Sequence, residues 1–170
     1  MPERPNDPLR QITGTAQGLL KSLDEIVWAV SPRNDTLPNL VSYLGQHAVR
    51  ILRAAGIACQ IEMPDAPPDV EVASDVRHHV FLVVKEALTN VVRHAGARAV
   101  RFQVTIAGDL LRVAVADDGC GFEHITDDAL ADGLRNMRQR MAIVGGKFAV
   151  SSRSGAGTRI QIELPFRPSA

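Results

Sequence analysis

The segment KEALTNVVRHA, residues 85–95, decides how the rest of the chain is interpreted. Its polar residues Glu86, Asn90 and His94 are spaced four apart, which places them on one face of a helix. At about 100° per residue, the opposite half of this helix is an apolar stripe. The stripe consists of Val80, Val84, Ala87, Leu88, Val91, Val92 and Ala95. Taken alone, the pattern is typical of any helix that packs on a sheet, and its polar face needs no function beyond solvation.

Composition and charge limit the classes of protein to which the chain can belong. Its 170 residues suit one domain, and 45% hydrophobic with 22% charged residues suffice for a globular core. The formal net charge of zero and the few aromatic side chains argue against a nucleic-acid partner. No apolar run is long enough to cross a bilayer, and the polar N-terminus has no signal-peptide core. We therefore expect a cytoplasmic domain without direct membrane contact, with any anchor of the parent protein outside this sequence.

Cys59 and Cys120 are the two cysteines of the chain. Their spacing fits no zinc motif, and no histidine pair lies near either of them in the sequence. They are predicted to be free thiols in a reducing compartment.

Apolar periodicity and turn signals divide the chain into four helices and five strands. The predicted helices cover residues 11–30, 37–55, 74–94 and 133–144. The predicted strands cover residues 57–63, 99–107, 110–117, 147–154 and 158–165. The acidic stretch 123–132 has no useful periodicity and is predicted to be a loop. This order favours an α/β two-layer sandwich, in which helices cover one face of a mixed, largely antiparallel sheet and an N-terminal helix precedes it.

The segment ADDGCGF, residues 116–122, ends a predicted strand with two acidic residues. A carboxylate at a strand end, such as that of Asp117, can accept a hydrogen bond from an amino group like that of adenine. Gly119 and Gly121 allow positive φ angles and a close approach of the backbone to a flat ligand. An ordinary Asp-Gly turn explains the same residues.

Two further glycine-containing segments could contact phosphate. In GAGT, residues 155–158, backbone N–H groups and the hydroxyl of Thr158 could donate to it, although a simple hairpin turn explains the pattern as well. In DGLRNM, residues 132–137, Gly133 lies at the start of a predicted helix, where free N–H groups and the helix dipole favour anions. No segment is a Walker A loop or an EF-hand.

Taken in order, these four segments resemble the ATP-binding catalytic domain of sensor histidine kinases. KEALTNVVRHA resembles the N box, DDGCGF the G1 box, DGLRNM the G2 box and GAGT the last box, over about residues 70–165. Within this family, the segments EALTNVVRHA and GLRNMRQRM most resemble those of the NarX/DesK-like kinases of two-component systems. The resemblance implies the Bergerat-type ATP-binding fold that gyrase, Hsp90 and MutL share. LDEIVWAVSPRNDTL, residues 23–37, resembles the second dimerisation helix and its exit, so residues 1–33 are predicted to be a lead-in with a remnant of that helix and residues 34–170 the catalytic domain.

The resemblance implies that the chain binds Mg-ATP, and it assigns a role to each matched residue. Glu86 would act as the catalytic base or polarise the attacking imidazole, and Asn90 would ligate Mg²⁺. Asp117 would accept from the adenine amino group, and the acidic stretch 123–132 would be a mobile lid. The other nucleotide-binding residues would be His94, Gly119, Gly121, Gly133, Leu134, Gly157 and Thr158.

Two departures from the family pattern bear on this interpretation. Ala131 stands where the G2 box usually has a glycine, two residues before Gly133. Family members also carry a phosphoacceptor histidine, followed by an acidic residue, on the first dimerisation helix. The predicted helix 11–30 contains no histidine. The histidines outside the N box do not fit the acceptor motif; these are His47, His78, His79 and His124.

We therefore expect a protein-histidine kinase domain that transfers the γ-phosphate of ATP to a histidine on a dimerisation helix outside this chain. The phosphate would then pass to a response regulator, and the full-length protein would be a homodimer. Two alternatives remain open, a non-catalytic nucleotide-binding (pseudokinase) module and a serine kinase of the anti-sigma-factor type.

Overall fold

A computed structural model of the chain describes residues 35–124 and 128–166. The predicted helix 11–30 and the predicted domain boundary at residue 33 lie outside these residues. In the described part of the chain, no helix has the length and apolar character needed to cross a membrane.

Five strands form one sheet in the order β1-β2-β3-β5-β4. The strands are β1 (Ala58–Glu62), β2 (Ala99–Ala107), β3 (Leu110–Asp117), β4 (Lys147–Ser152) and β5 (Thr158–Pro165). β1 runs parallel to β2, and every other neighbouring pair is antiparallel. The predicted bounds of β2, β3 and β5 are confirmed, whereas β4 ends at Ser152, two residues earlier than predicted. The mixed, largely antiparallel sheet is also confirmed.

One face of the sheet is buried and the other is polar. On β2 the residues Val100, Phe102 and Val104 are buried, and β3 and β5 continue this face with alternating aliphatic residues. The opposite face carries charged and amide side chains, among them an ion pair between Arg112 and Glu163. The helices cover the apolar face only, which gives the predicted two layers.

The helices of the described residues are α1 (Leu37–Ala54), α2 (Ser74–Asn90) and α3 (Asp128–Ile143). α1 is capped at its N-terminus by Thr36, whose Oγ1 accepts a hydrogen bond from Asn39 N at 3.4 Å. It ends before Gly56, whose φ is 71°.

α2 continues into one π-helical turn, Val91–Ala95, which the 3.6-residue period did not predict. A π turn bonds residues five apart and shifts the following side chains relative to an α-helix. Val92, assigned to the apolar stripe, is 42% exposed, and its predicted burial is wrong. At about 100° per residue it lies at the edge of the stripe, which explains its exposure. The other stripe residues are buried as predicted.

α3 begins at Asp128, five residues before the predicted start at Gly133. Residues 128–132 of the predicted lid are therefore helical, and Gly133 lies inside the helix. The physical reason is that Ala129, Leu130 and Ala131 are strong helix formers and an aspartate favours the first turn. The prediction that Gly133 lies at a helix N-terminus is wrong, so a helix N-terminus no longer supports a phosphate contact there, and the predicted nucleotide contact of Gly133 stays a prediction.

Candidate functional site

A cavity of about 190 Å³ lies between the sheet and the helices α2 and α3. Six of the predicted site residues line it, namely Asn90, His94, Asp117, Gly121, Leu134 and Thr158. Most of the remaining wall is apolar and includes Val115, Phe122, Leu130 and Ile160. A largely apolar cavity with a few polar groups is the usual form of a small-molecule site.

Asp117, the last residue of β3, supplies the carboxylate of the cavity. Its Oδ1 accepts hydrogen bonds from Gly119 N at 2.9 Å and Thr158 N at 3.3 Å. Because both bonds end on Oδ1, Oδ2 can accept from a ligand. Burial raises the pKa of Asp117 above its ordinary value, and the two backbone hydrogen bonds oppose that shift. The two hydrogen bonds to Oδ1 therefore fix the orientation of the carboxylate, and neither of them uses Oδ2.

Two glycines allow backbone segments to meet behind this carboxylate. A Cβ on Gly119 would overlap the carbonyl oxygen of Ala95, at the end of the π turn. A Cβ on Gly157 would overlap the carbonyl oxygen of Asp117, and Gly157 also has a φ of 78°. Both glycines lie outside the set of cavity-lining residues. Their contribution is to position Asp117 and Thr158, whereas Gly121, with a φ of 57°, lines the cavity itself.

Asn90 contributes a buried amide to the same cavity. The residue is only 8% exposed, and within the described part of the chain its Nδ2 has no hydrogen-bond partner. A buried donor without a partner costs about 1–3 kcal/mol, so such groups in native proteins usually meet a ligand or water. Asn90 therefore marks a position where a polar ligand group belongs.

Glu86 lies one helical turn before Asn90 and does not line the cavity. Its carboxylate faces α3, because a Cβ on Gly133 would lie 2.7 Å from Glu86 Oε1 and 3.6 Å from Asn90 Nδ2. Gly133 thus lets α3 approach the polar face of α2. The structure brings Glu86, Asn90 and Gly133 together, with Asn90 in the wall of the cavity and with Glu86 and Gly133 at its edge.

The π turn joins α2 to the glycine-rich segment after β3. His94 lines the cavity, and its carbonyl oxygen accepts a hydrogen bond from Cys120 Sγ at 3.4 Å. Ala95 O accepts from Cys120 N at 2.8 Å. π turns inside helices are frequently found at functional sites, and this one holds the segment that follows Asp117.

Two residues that the sequence did not single out organise the site. Ser152 Oγ accepts from Phe122 N at 2.8 Å, donates to Gly157 O at 3.2 Å and shares a hydrogen bond with Thr158 Oγ1 at 2.8 Å. Asp118 Oδ1 accepts from Arg98 N and Ala99 N, which lowers the pKa of Asp118. No local signal marks Ser152, whereas the second aspartate of the DDG motif could have indicated Asp118.

Comparisons with known proteins agree with this geometry. Residues 75–168 match the family model described as Histidine kinase-, DNA gyrase B-, and HSP90-like ATPase. Sensor histidine kinase LiaS of Bacillus subtilis is 37% identical over 100 residues, which are 59% of this chain and 28% of LiaS. Sensor protein VraS of Staphylococcus aureus is 32% identical over 100 residues, which are 58% of this chain and 28% of VraS. The chain thus spans less than a third of the length of these relatives.

Solved histidine kinase structures share the fold. The histidine kinase domain of the Erythrobacter litoralis EL346 blue-light activated histidine kinase aligns with a TM-score of 0.59 and 26% identity, over 75% of this chain and 61% of that chain. The catalytic domain of histidine kinase ThkA aligns with a TM-score of 0.60 and 19% identity, over 79% of this chain and 96% of that chain. The second likeness concerns the fold alone. Every predicted site residue lies within the span matched by the family model.

Proposed function

This chain belongs to the family of histidine kinase-, DNA gyrase B- and HSP90-like ATPases, and from that premise we propose that it binds Mg-ATP and phosphorylates a histidine. It is a histidine kinase-type ATPase catalytic domain, homologous to sensor histidine kinases. The observation that carries the proposal is the cavity lined by Asp117 and by Asn90, whose Nδ2 has no hydrogen-bond partner among the described residues. The comparisons do not support the alternatives, a pseudokinase module or an anti-sigma-factor-type serine kinase.

Asp117 and the apolar wall suit an adenine ring. The free Oδ2 of Asp117 accepts from the exocyclic amino group, and the aliphatic side chains of Val115 and Ile160 cover the ring. The turn after Asp117 contacts Ala95, at the C-terminal end of the α2 and π-turn helix. In this proposal the phosphates would lie near Asn90 and His94, with Glu86 at the edge of the site, and Thr158 would support the adenine base.

Asn90 fits a magnesium site. Rotation of its carboxamide exchanges oxygen and nitrogen, so the side chain can present an oxygen to a cation. Among the described residues, no three His, Cys, Asp or Glu side chains group as metal ligands. Mg²⁺ suits such a site because it binds through few protein oxygens together with phosphates, whose charge it neutralises.

Glu86 is the proposed catalytic base. At the edge of the site, its carboxylate accepts a hydrogen bond from one ring N–H of the acceptor imidazole and leaves the other nitrogen as the nucleophile. An N–P bond then forms as the P–O bond to ADP breaks, and the proton of the other ring nitrogen passes to the Glu86 carboxylate. We propose that the acceptor histidine lies on a dimerisation helix outside this chain, because the predicted helix 11–30 contains no histidine that could serve as the acceptor. We propose a homodimeric, cytoplasmic kinase that passes the phosphoryl group to a response regulator.

Calorimetric titration with a non-hydrolysable ATP analogue, with and without Mg²⁺, tests the proposal. We expect one saturable site per chain and tighter binding with Mg²⁺. A wild-type chain that binds no analogue under either condition would contradict it.

We expect Asn90→Ala to abolish the gain in ATP affinity that Mg²⁺ provides, while affinity without Mg²⁺ changes little. The reason is that Asn90 supplies the protein oxygen for the cation. Thr89→Ala is the matched control, because the Thr89 hydroxyl donates to Lys85 O within the same helix. The same calorimetric titrations measure both variants, and an unchanged Mg²⁺ effect in Asn90→Ala would remove Asn90 from the metal site.

Gly133→Ala is expected to stabilise the fold by up to about 1 kcal/mol, because alanine favours a helix interior. The same change should slow phosphoryl transfer, because the new methyl group would lie 2.7 Å from Glu86 Oε1 and displace the carboxylate. Denaturant unfolding and transfer to an acceptor domain measure the two effects. Asn136→Ala, at an exposed position of α3, should stabilise without slowing transfer. Equal transfer rates for both variants would show that the position of Glu86 is not limiting.

A further inference from the structure

Cys120 lies where a covalent change would alter the nucleotide cavity. It is exposed, and it also lines the cavity. Cys59 differs in both respects, because it is half-buried on the edge strand β1 and burial raises the pKa of its thiol. The chain therefore contains one accessible thiol at the proposed site and one less reactive thiol away from it.

The backbone of Cys120 is held on both sides, so only its side chain is free to change. Its N–H donates to Ala95 O at 2.8 Å, and its carbonyl oxygen accepts from Gly155 N at 2.6 Å. Its Sγ donates to His94 O at 3.4 Å. An adduct on Sγ removes the thiol hydrogen and therefore this contact, and it adds bulk beside a cavity of about 190 Å³.

The same cavity has an independent sign of a ligand. Asn90 is 8% exposed, lines the cavity, and has an Nδ2 without a hydrogen-bond partner among the described residues. A buried amide in this state usually meets a polar group of a ligand or a water molecule. The thiol of Cys120 is therefore on the wall of the cavity that we propose as the nucleotide site.

We propose that Cys120 is a thiol-modification site at which a mixed disulfide and the nucleotide exclude each other. The inference rests on the proposed function. The reagent is a low-molecular-weight disulfide, RSSR. The Cys120 thiolate attacks one sulfur, a Cys120 S–SR bond forms, RS⁻ leaves, and the thiol proton goes to solvent. Excess thiol reverses the reaction, so the block on nucleotide binding is reversible.

The test uses glutathione disulfide on the Cys59→Ala chain, with Cys59→Ala/Cys120→Ala as the matched control. Peptide mass spectrometry measures the adduct in the absence and presence of ADP, and calorimetry measures ADP binding before and after treatment. We expect a glutathionyl adduct on Cys120, slower formation with ADP bound, loss of ADP binding after treatment, and recovery with dithiothreitol. The control, compared with its own untreated sample, should keep its affinity after treatment.

Each other outcome overturns the inference. ADP binding that survives full modification shows that adduct and nucleotide coexist. A modification rate that saturating ADP leaves unchanged places the thiol outside the nucleotide site, and no adduct shows that the thiol is unreactive. If the untreated Cys59→Ala chain binds no ADP, both this inference and the proposed function fail. If it binds ADP and one of the three results above is found, only this inference fails.

Discussion

Replacing Asp117 by asparagine is expected to weaken ATP binding about a hundred-fold, or about 3 kcal/mol. The asparagine oxygen can still accept from Gly119 N and Thr158 N, which bond to Oδ1 in the native residue. The amide NH₂ then occupies the place of Oδ2 and faces the adenine amino group, donor against donor. Both donors lose their partner in a half-buried site, and the charge-assisted hydrogen bond is lost. Calorimetry with a non-hydrolysable ATP analogue measures the change.

Asp118→Asn is the matched control for this substitution. Asp118 is exposed, and its Oδ1 accepts from Arg98 N and Ala99 N, which an asparagine oxygen can also do. Its ATP affinity should therefore equal that of the wild type. If the neighbouring substitutions weaken binding equally, the effect comes from lost negative charge in general, and the adenine assignment of Asp117 is wrong.

Acidification tests the same hydrogen bond without a mutation. Burial raises the pKa of Asp117, so it protonates at a higher pH than an exposed aspartate, whose ordinary value is 3.8. Binding needs the charged form and should weaken as pH falls through this raised pKa. Asp117→Asn lacks the titrating group and should show a flatter dependence over the same range.

Local patterns in the sequence were sufficient for the strands that build the site. β2 and β3 alternate strictly and are joined by Gly108-Asp109, so residue order alone predicts their bounds and brings Asp117 to a strand end. The resemblance of four ordered segments to the boxes of histidine kinases, rather than local pattern, predicted six of the residues that line the cavity.

Contacts between distant residues explain what the sequence did not predict. Gly133 was interpreted as a helix start because the preceding acidic stretch has no useful periodicity, yet it lies inside α3 where Glu86 of α2 approaches. The π turn accompanies a contact between Ala95 O and Cys120 N, which no periodicity reports. Ser152 bonds to Phe122, thirty residues away in the chain, so no local motif could have marked it.

A second large effect, on stability, is expected in the first turn of α2. Arg77 is completely buried and forms an ion pair with Asp35. The segment of Asp35 is also held by backbone hydrogen bonds, from Leu37 N to Val70 O at 2.9 Å and from Val72 N to Asp35 O at 2.9 Å. The ion pair therefore joins the start of the described domain to the helix that carries Glu86 and Asn90.

Asp35→Ala is expected to lower the free energy of unfolding by about 3 kcal/mol, because it removes the carboxylate from a fully buried guanidinium. Asp132→Ala is the control. Asp132 and its partner Arg135 are both exposed, so Asp132→Ala should lower the free energy of unfolding by no more than about 1 kcal/mol. Urea unfolding of each variant measures the difference.

A double-mutant cycle separates the ion pair from simple loss of packing. Arg77→Met fills the space with an apolar side chain, and after Asp35→Ala it also removes the buried charge that has lost its carboxylate. The double variant should therefore lose less free energy of unfolding than the two single variants lose together, and the difference should be at least about 1 kcal/mol. Strict additivity would show that Asp35 and Arg77 stabilise the domain independently, and the ion pair would then not be what fixes α2 to the preceding segment.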